Sequence, residues 1–247
     1  MSSPPAPSAR VLEDLAALAA DATLPRLLPR IAAGQPAVWG GGAWEAPLLF
    51  ASGTLPVPMN ELWREGSREA AELGELAFQV PPEYCSMIKA VLGRLRLLRE
   101  TPLRRIIQFG GACEPMSIAI ELIRGDGYDV FTIEGVTSFR PPLRRDAAMI
   151  ALVAAELDRL ARWLTGRAPD EARLREEIRR KNRLAVKARR VLELRARDPR
   201  SVPAVAVLRL LAGTAHYFCD PERFEAILDR LAAALEALPA EGAPAGH

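Results

Sequence analysis

The sequence predicts an α/β fold: a parallel-sheet, Rossmann-like N-terminal domain followed by an all-helical segment. Three observations point to it. Short apolar runs ending in Gly or Pro alternate with stretches of helical period through "YDVFTIEG". Two of the helical stretches open directly behind a cysteine, in "EYCSMIK" and "GACEPMSIAI", with Cys85 and Cys113 separated by 28 positions. Beyond "SFRPPLRRD" no run reads as a strand, and amphipathic patterns continue to about residue 237.

Taken in order, residues 1–9 are polar and Pro-rich and read as disordered. "ARVLEDLAALAADATLPRLLPRIAAG" carries a helical stripe, with breaks expected at Pro25 and Pro29. "AVWGGG" reads as a strand running into a loop, "EAPLLFASG" as a short helix and "TLPVPM" as another extended piece. "LAFQV" is read as a strand ended by Pro81 and Pro82, and a helix follows from Ser86 to about Glu100. "RRIIQFGG" is the next strand, the helix after Pro115 stops at "RGDG", and "YDVFTIEG" is the last strand. Then Ile150, Val153, Leu157, Leu160 and Leu164 form a helical stripe. Asp170 is placed to cap a long charged helix over about 171–197, and two shorter helices follow near 201–215 and 221–237. The expected organisation is a tail and helix over 1–29, an α/β domain over 30–140, a helical domain over 141–238 and a disordered tail over 239–247.

Composition narrows the class of partner. A chain of 247 residues with 49% apolar and 26% charged residues has the profile of a soluble globular protein. A net charge of +2 argues against nucleic acid and against an anionic membrane surface. Three cysteines do not make a disulfide framework, and the polar, Pro-rich start lacks the apolar stretch of a signal peptide. The expected setting is therefore a reducing cytoplasm. There a cysteine serves as buried packing, metal ligand or catalyst.

In parallel α/β sheets, ligands gather at the carboxyl ends of the strands, and both Cys85 and Cys113 are expected there, at helix N-termini. A helix N-terminus favours thiolate over thiol. Two thiolates from neighbouring loops suit a soft metal or an iron–sulfur cluster; two buried structural cysteines are the plain alternative. Cys219, in "AHYFCDPERF", reads as a buried or loop cysteine. Ser86 is expected to cap its helix, with a polar role beside Cys85 as the alternative. Glu45 is the expected polar group facing the cleft, and Glu114 is favoured at its helix start on electrostatic grounds alone. Gly40, Gly41 and Gly42 allow close approach of backbone to a ligand but form no nucleotide-binding motif. His216 in an apolar helix reads as packing. The interleaved Glu and Arg of "EARLREEIRRKNRLAVKARR" read as a solvated helix face, with phosphate contact as the lesser reading.

From about residue 30 to 238 the chain resembles the subunits of 2-hydroxyacyl-CoA dehydratases, relatives of the class I benzoyl-CoA reductase subunits. The resemblance is carried by "PAVWGGGAWEAPLLFASGTLPVPM", "YCSMIK", "FGGACEPM" and "GYDVFTIEG", and by the long helix with Asn182. It implies that Cys85 and Cys113 are ligands of a four-iron, four-sulfur (4Fe–4S) cluster and that the substrate is an acyl-CoA. It implies a lyase in which an electron, delivered by an ATP-dependent iron–sulfur activator protein, reduces the thioester carbonyl so that the ketyl radical expels the 2-hydroxyl as water. Glu45 and Ser86 are the residues placed to serve catalysis. The chain is expected to lack the family's usual C-terminal α/β domain, which supplies a third cysteine. It would then work with a second homologous dehydratase subunit or with a chain that supplies the missing domain. A cluster-free, non-catalytic assembly protein and a benzoyl-CoA reductase-like subunit are the alternatives.

Overall fold

The computed structural model describes residues 7–40, 45–62, 66–109, 113–133 and 147–238, which divide into two compact units, 27–174 and 1–26 with 175–247. The first unit is built on a four-stranded sheet of β1 (Ala37–Trp39), β2 (Leu55–Val57), β3 (Arg105–Phe109) and β4 (Asp129–Ile133). Its order is β2-β1-β3-β4 and every pairing is parallel, with Val38 opposite Pro56, Trp39 opposite Ile106 and Ile107 opposite Phe131. Pro56 is tolerated because β2 is an edge strand and need not donate outward.

Between β1 and β2 lies α3 (Ala46–Ala51), and after β4 comes α7 (Ala147–Thr165). Leu48 and Leu49 of α3 and Leu160, Ala161 and Leu164 of α7 close over Val38, Ile107, Phe131 and Ile133 of the sheet. Polar contacts fix α7 in place: Trp163 Nε1 donates to Asp129 at 2.9 Å, and the Arg105 guanidinium lies 5.0 Å from the Trp163 ring while donating to the Leu164 carbonyl. The expected apolar stripe of α7 is used only in its second half. Leu160 and Leu164 are buried, whereas Ile150 is 58% exposed. With α7 packed on β4, this unit runs to Leu174, past the expected boundary at residue 140.

The remaining helices of the unit are α4 (Ser67–Phe78), α5 (Ser86–Leu98) and α6 (Glu114–Gly125). The expected strand at "LAFQV" is corrected here: Leu76–Phe78 are the last turn of α4, which ends at Gln79 in a left-handed conformation with φ 52°. Leu76, the first apolar residue of that stretch, turns away from the neighbouring helix. Leu76 is 79% exposed, and α4 meets α5 through Ala70 and Gly74. A Cβ on Gly74 would fall 2.1 Å from the Lys89 carbonyl oxygen, so the two backbones cross at a distance only glycine permits.

The second unit contains α1 (Pro7–Asp21) and the greater part of α8 (Glu171–Arg197), followed by α9 (Ala204–His216) and α10 (Pro221–Glu236); α2 (Leu24–Ala32) begins at its edge. The helix α1 starts at Pro7, three residues inside the stretch expected to be disordered. The expected break at Pro25 and Pro29 falls instead at Ala22–Thr23. Pro25 sits in the first turn of α2, where its missing N–H costs nothing, and Pro29 lies inside that helix. Asp170 caps α8 as expected, accepting from Ala172 and Arg173 at 3.0 and 3.1 Å. The charged face of α8 is paired with carboxylates of α10: Arg180 with Glu222, Lys187 with Glu225 and Asp229, and Arg190 with Glu236. No described helix is long and apolar enough to cross a membrane. The expected tail over 239–247 lies outside the described residues.

Candidate functional site

A doubly wound sheet forms its ligand crevice where the strand order reverses, outside the carboxyl ends of the strands. Here β1 leads outward to β2 on one side, and β3 and β4 lie on the other, so the reversal falls between β1 and β3. Glu45 opens α3 directly behind β1, and Cys113 opens α6 directly behind β3. Both residues therefore open helices that follow the two strands at that reversal.

Gly40 closes β1 against β3. Its φ is +116°, and a Cβ there would lie 3.0 Å from the Ile107 carbonyl oxygen, so strand packing alone requires glycine at this position. Gly41 and Gly42 lie outside the described residues. Glu45 is fully buried, and its carbonyl accepts from Leu48 and Leu49 at 2.9 and 3.2 Å as the first turn of α3 forms.

The sequence suggests two strand–Cys–helix units, but Cys85 does not follow a strand, because the segment before it is α4; among the described residues that unit occurs once, at Cys113. Cys85 still reaches the same end of the sheet. The helix it opens, α5, leads into β3, so α5 begins at the level where parallel β3 ends. Both cysteines are N-caps whose carbonyls accept the first helical bonds, from Lys89 and Ser117, each at 2.9 Å. Neither side chain is used for capping, and both thiols are free and partly exposed.

Tyr84 joins the two stations. Its hydroxyl donates to the Pro115 carbonyl, tying the loop before α5 to the first turn of α6. Burial raises the phenol's pKa, and negative charge on Cys113 and then on Cys85 raises it further, so the phenol lies within the field of both sulfurs. Lys89 holds the same loop from the other side: its Nζ donates to Pro82 O and to Glu75, each at 2.7 Å, and only 8% of the residue is exposed. Neither Tyr84 nor Lys89 was singled out from the sequence. The tyrosine stood inside the quoted "YCSMIK", but its partner is 31 residues away.

The other expected residues fall as follows. Ser86 is the first helical residue of α5, with Cys85 in the capping position, and its side chain lines an open groove of about 490 Å³ between α4 and α5 with Arg68, Glu75, Met87 and Lys89. Glu114 is exposed on the first turn of α6, and Asn182 is exposed on α8. Cys219 is buried in the second unit, in a left-handed turn with Tyr217 and Phe218 at φ 52°, 51° and 62° for Tyr217, Phe218 and Cys219. His216 is buried, as expected of a packing residue, and its Nδ1 accepts from Phe218 N at 3.2 Å. Among the described residues, no three His, Cys, Asp or Glu side chains are placed to hold a metal ion together.

A parallel α/β unit with paired cysteines at helix N-termini, joined to a helical unit, is the framework these observations define. The profile of the family described as 2-hydroxyglutaryl-CoA dehydratase, D-component, matches residues 45–246, and the chain belongs to that family. It is a subunit of the 2-hydroxyacyl-CoA dehydratase type, as the resemblance in its sequence implied. A search of curated proteins finds no match.

Proposed function

We propose that the corner formed by Cys85 and Cys113 is part of an iron–sulfur site that serves the dehydration of a 2-hydroxyacyl-CoA. The observation that carries this reading is the Tyr84 bridge, which draws two uncapped, partly exposed thiols from separate segments to one end of the sheet. The donor chemistry fits iron: thiolates are its preferred cluster ligands, and each of the two cysteines opens a helix with its side chain not used for capping. Cys85 and Cys113 would hold two positions of a 4Fe–4S cluster. The other ligands would come from outside the described residues, from a homologous partner subunit or from a chain carrying a further domain. When bound, such a cluster supplies low-potential electron transfer to the thioester, recharged by an ATP-dependent activator.

The chain's own residues orient and protect the reacting group. The buried Glu45 carboxylate, on the β1 side of the crevice, is the group proposed to exchange a proton with the substrate. The Ser86 hydroxyl, next to Cys85 and open to the α4–α5 groove, is proposed to hydrogen-bond the acyl-CoA. A reducing cytoplasm, in which the three cysteines stay out of disulfides, is the proposed setting.

Iron and acid-labile sulfide, measured after anaerobic purification and reconstitution with iron and sulfide, test the reading. Cys85→Ala and Cys113→Ala should each lose the iron and sulfide that the parent binds, while Cys219→Ala keeps them. A parent that takes up neither, in the presence of a co-encoded partner, overturns the iron–sulfur reading and leaves an assembly protein of this family.

A further inference from the structure

We propose that Tyr84 is a positioning residue: its hydroxyl bond to the Pro115 carbonyl sets the separation of the Cys85 and Cys113 sulfurs and so their ability to act as one two-thiol site. This rests on the reading of the corner given above and adds the element that holds it together. Cys85 is covalently next to Tyr84, and Cys113 lies two residues before Pro115, so a single hydrogen bond spans both cysteine stations. The Cys85 side of that span is itself anchored. Lys89 Nζ holds the Pro82 carbonyl at 2.7 Å and is held in turn by Glu75, so the loop cannot follow Tyr84 freely if the phenol loses its partner. On the Cys113 side, Ser117 closes the first turn of α6 with its N–H and its Oγ both donating to the Cys113 carbonyl, at 2.9 and 3.1 Å. Each station is thus rigid within its own helix start, and among the described contacts Tyr84–Pro115 is the hydrogen bond that couples them.

A rigid pair of thiols gains affinity for a ligand that needs both, because the cost of bringing the two together is met in folding. Single-thiol chemistry has no such dependence. The inference therefore separates two-thiol capture from reactivity of either cysteine alone.

The test is binding of phenylarsine oxide, a trivalent arsenical that is held tightly only by two neighbouring thiols, to the reduced full chain under anaerobic conditions. Adducts are assigned by mass spectrometry, and a thermal melt of each variant runs beside them. Tyr84→Phe removes one oxygen from a half-buried ring and keeps its packing. It should melt close to the parent, bind the arsenical about five- to tenfold more weakly, as expected for one lost hydrogen bond, and react with a monofunctional maleimide at the parental rate. Cys85→Ser and Cys113→Ser should abolish capture. Parental capture with an unchanged Tyr84→Phe affinity overturns the positioning role and leaves the two-thiol corner standing. A parent that forms no Cys85–Cys113 arsenical adduct overturns the corner itself, and the role of Tyr84 with it. Restoration of parental affinity by Tyr84→Phe relative to Tyr84→Ala would mark the ring's packing, and not its hydroxyl, as the active element and would likewise overturn the proposal.

Discussion

Gly74 of α4 and Gly93 of α5 meet backbone to backbone: a Cβ on Gly93 would fall 2.8 Å from the Gly74 nitrogen and 1.8 Å from the Ala70 carbonyl oxygen. This crossing sets how α5, which carries Cys85 at its start, sits against its neighbour. Alanine is the better helix former by about 1 kcal/mol, so Gly93→Ala would stabilise an isolated α5. In the folded chain the clash dominates, and the expected result is a loss of about 3 kcal/mol in urea unfolding. An unchanged or raised midpoint would show that the helices do not cross this closely.

Lys89 is the ammonium beneath the Cys85 loop, and Lys89→Met keeps its length without its donors. The Pro82 carbonyl and the Glu75 carboxylate, both at 2.7 Å, then lose a partner. A loss of about 2–3 kcal/mol is expected in chemical denaturation, with part of it recovered when Glu75→Gln is added. Additive single and double variants would mean that Lys89 and Glu75 are not coupled.

Burial of the imidazole lowers the His216 pKa from 6.5 to about 4, against the opposing effect of a hydrogen bond to its own backbone. A depressed pKa means that the unfolded chain binds the proton first as pH falls. The contribution is complete above pH 6.5 and is lost between 6.5 and about 4, by up to about 3 kcal/mol. His216→Asn, which keeps an acceptor that does not titrate there, should flatten that part of the stability profile. A profile with the parental slope would contradict the assignment.

On the second unit, Lys187 lies 2.8 Å from Glu225 and 2.7 Å from Asp229. Hydrogen bonds to these carboxylates raise its pKa against the opposing effect of burial, and its own charge lowers that of Glu225. The Lys187 contribution is present below its usual 10.5 and lost as pH rises through the raised value; the Glu225 contribution is present above 4.5 and lost as pH falls through the lowered one. These groups are partly solvated, so Lys187→Met should cost no more than about 1 kcal/mol, and less in high salt. A larger, salt-independent loss would point to packing of the lysine stem.

The sequence made most strands and helix starts legible because their signals are local: Gly or Pro after a β-run, Asp170 before α8, the cysteines before α5 and α6. It misread "LAFQV" because α4 contacts its neighbour through Ala70 and Gly74, small residues that hydropathy patterns do not register, while Leu76 faces outward. The candidate site shows the same division. Cys85, Cys113 and Glu45 stood out as chemical types at element starts. The bond from Tyr84 to Pro115 arises only when α5 and α6 are brought side by side, and the burial of Lys89 only when α4 packs on α5; no local pattern encodes either pairing.

The convergence of Cys85 and Cys113 is the claim on which the functional account stands, and a short bifunctional thiol reagent tests it most directly. Dibromobimane, which becomes strongly fluorescent only when both arms have reacted, should join Cys85 to Cys113 within one reduced chain. Peptide mapping should locate the bridge, and Cys85→Ser or Cys113→Ser should remove the fluorescence. Singly alkylated peptides at both positions, without a bridged species, would show that the two thiols do not share a corner and would contradict the account.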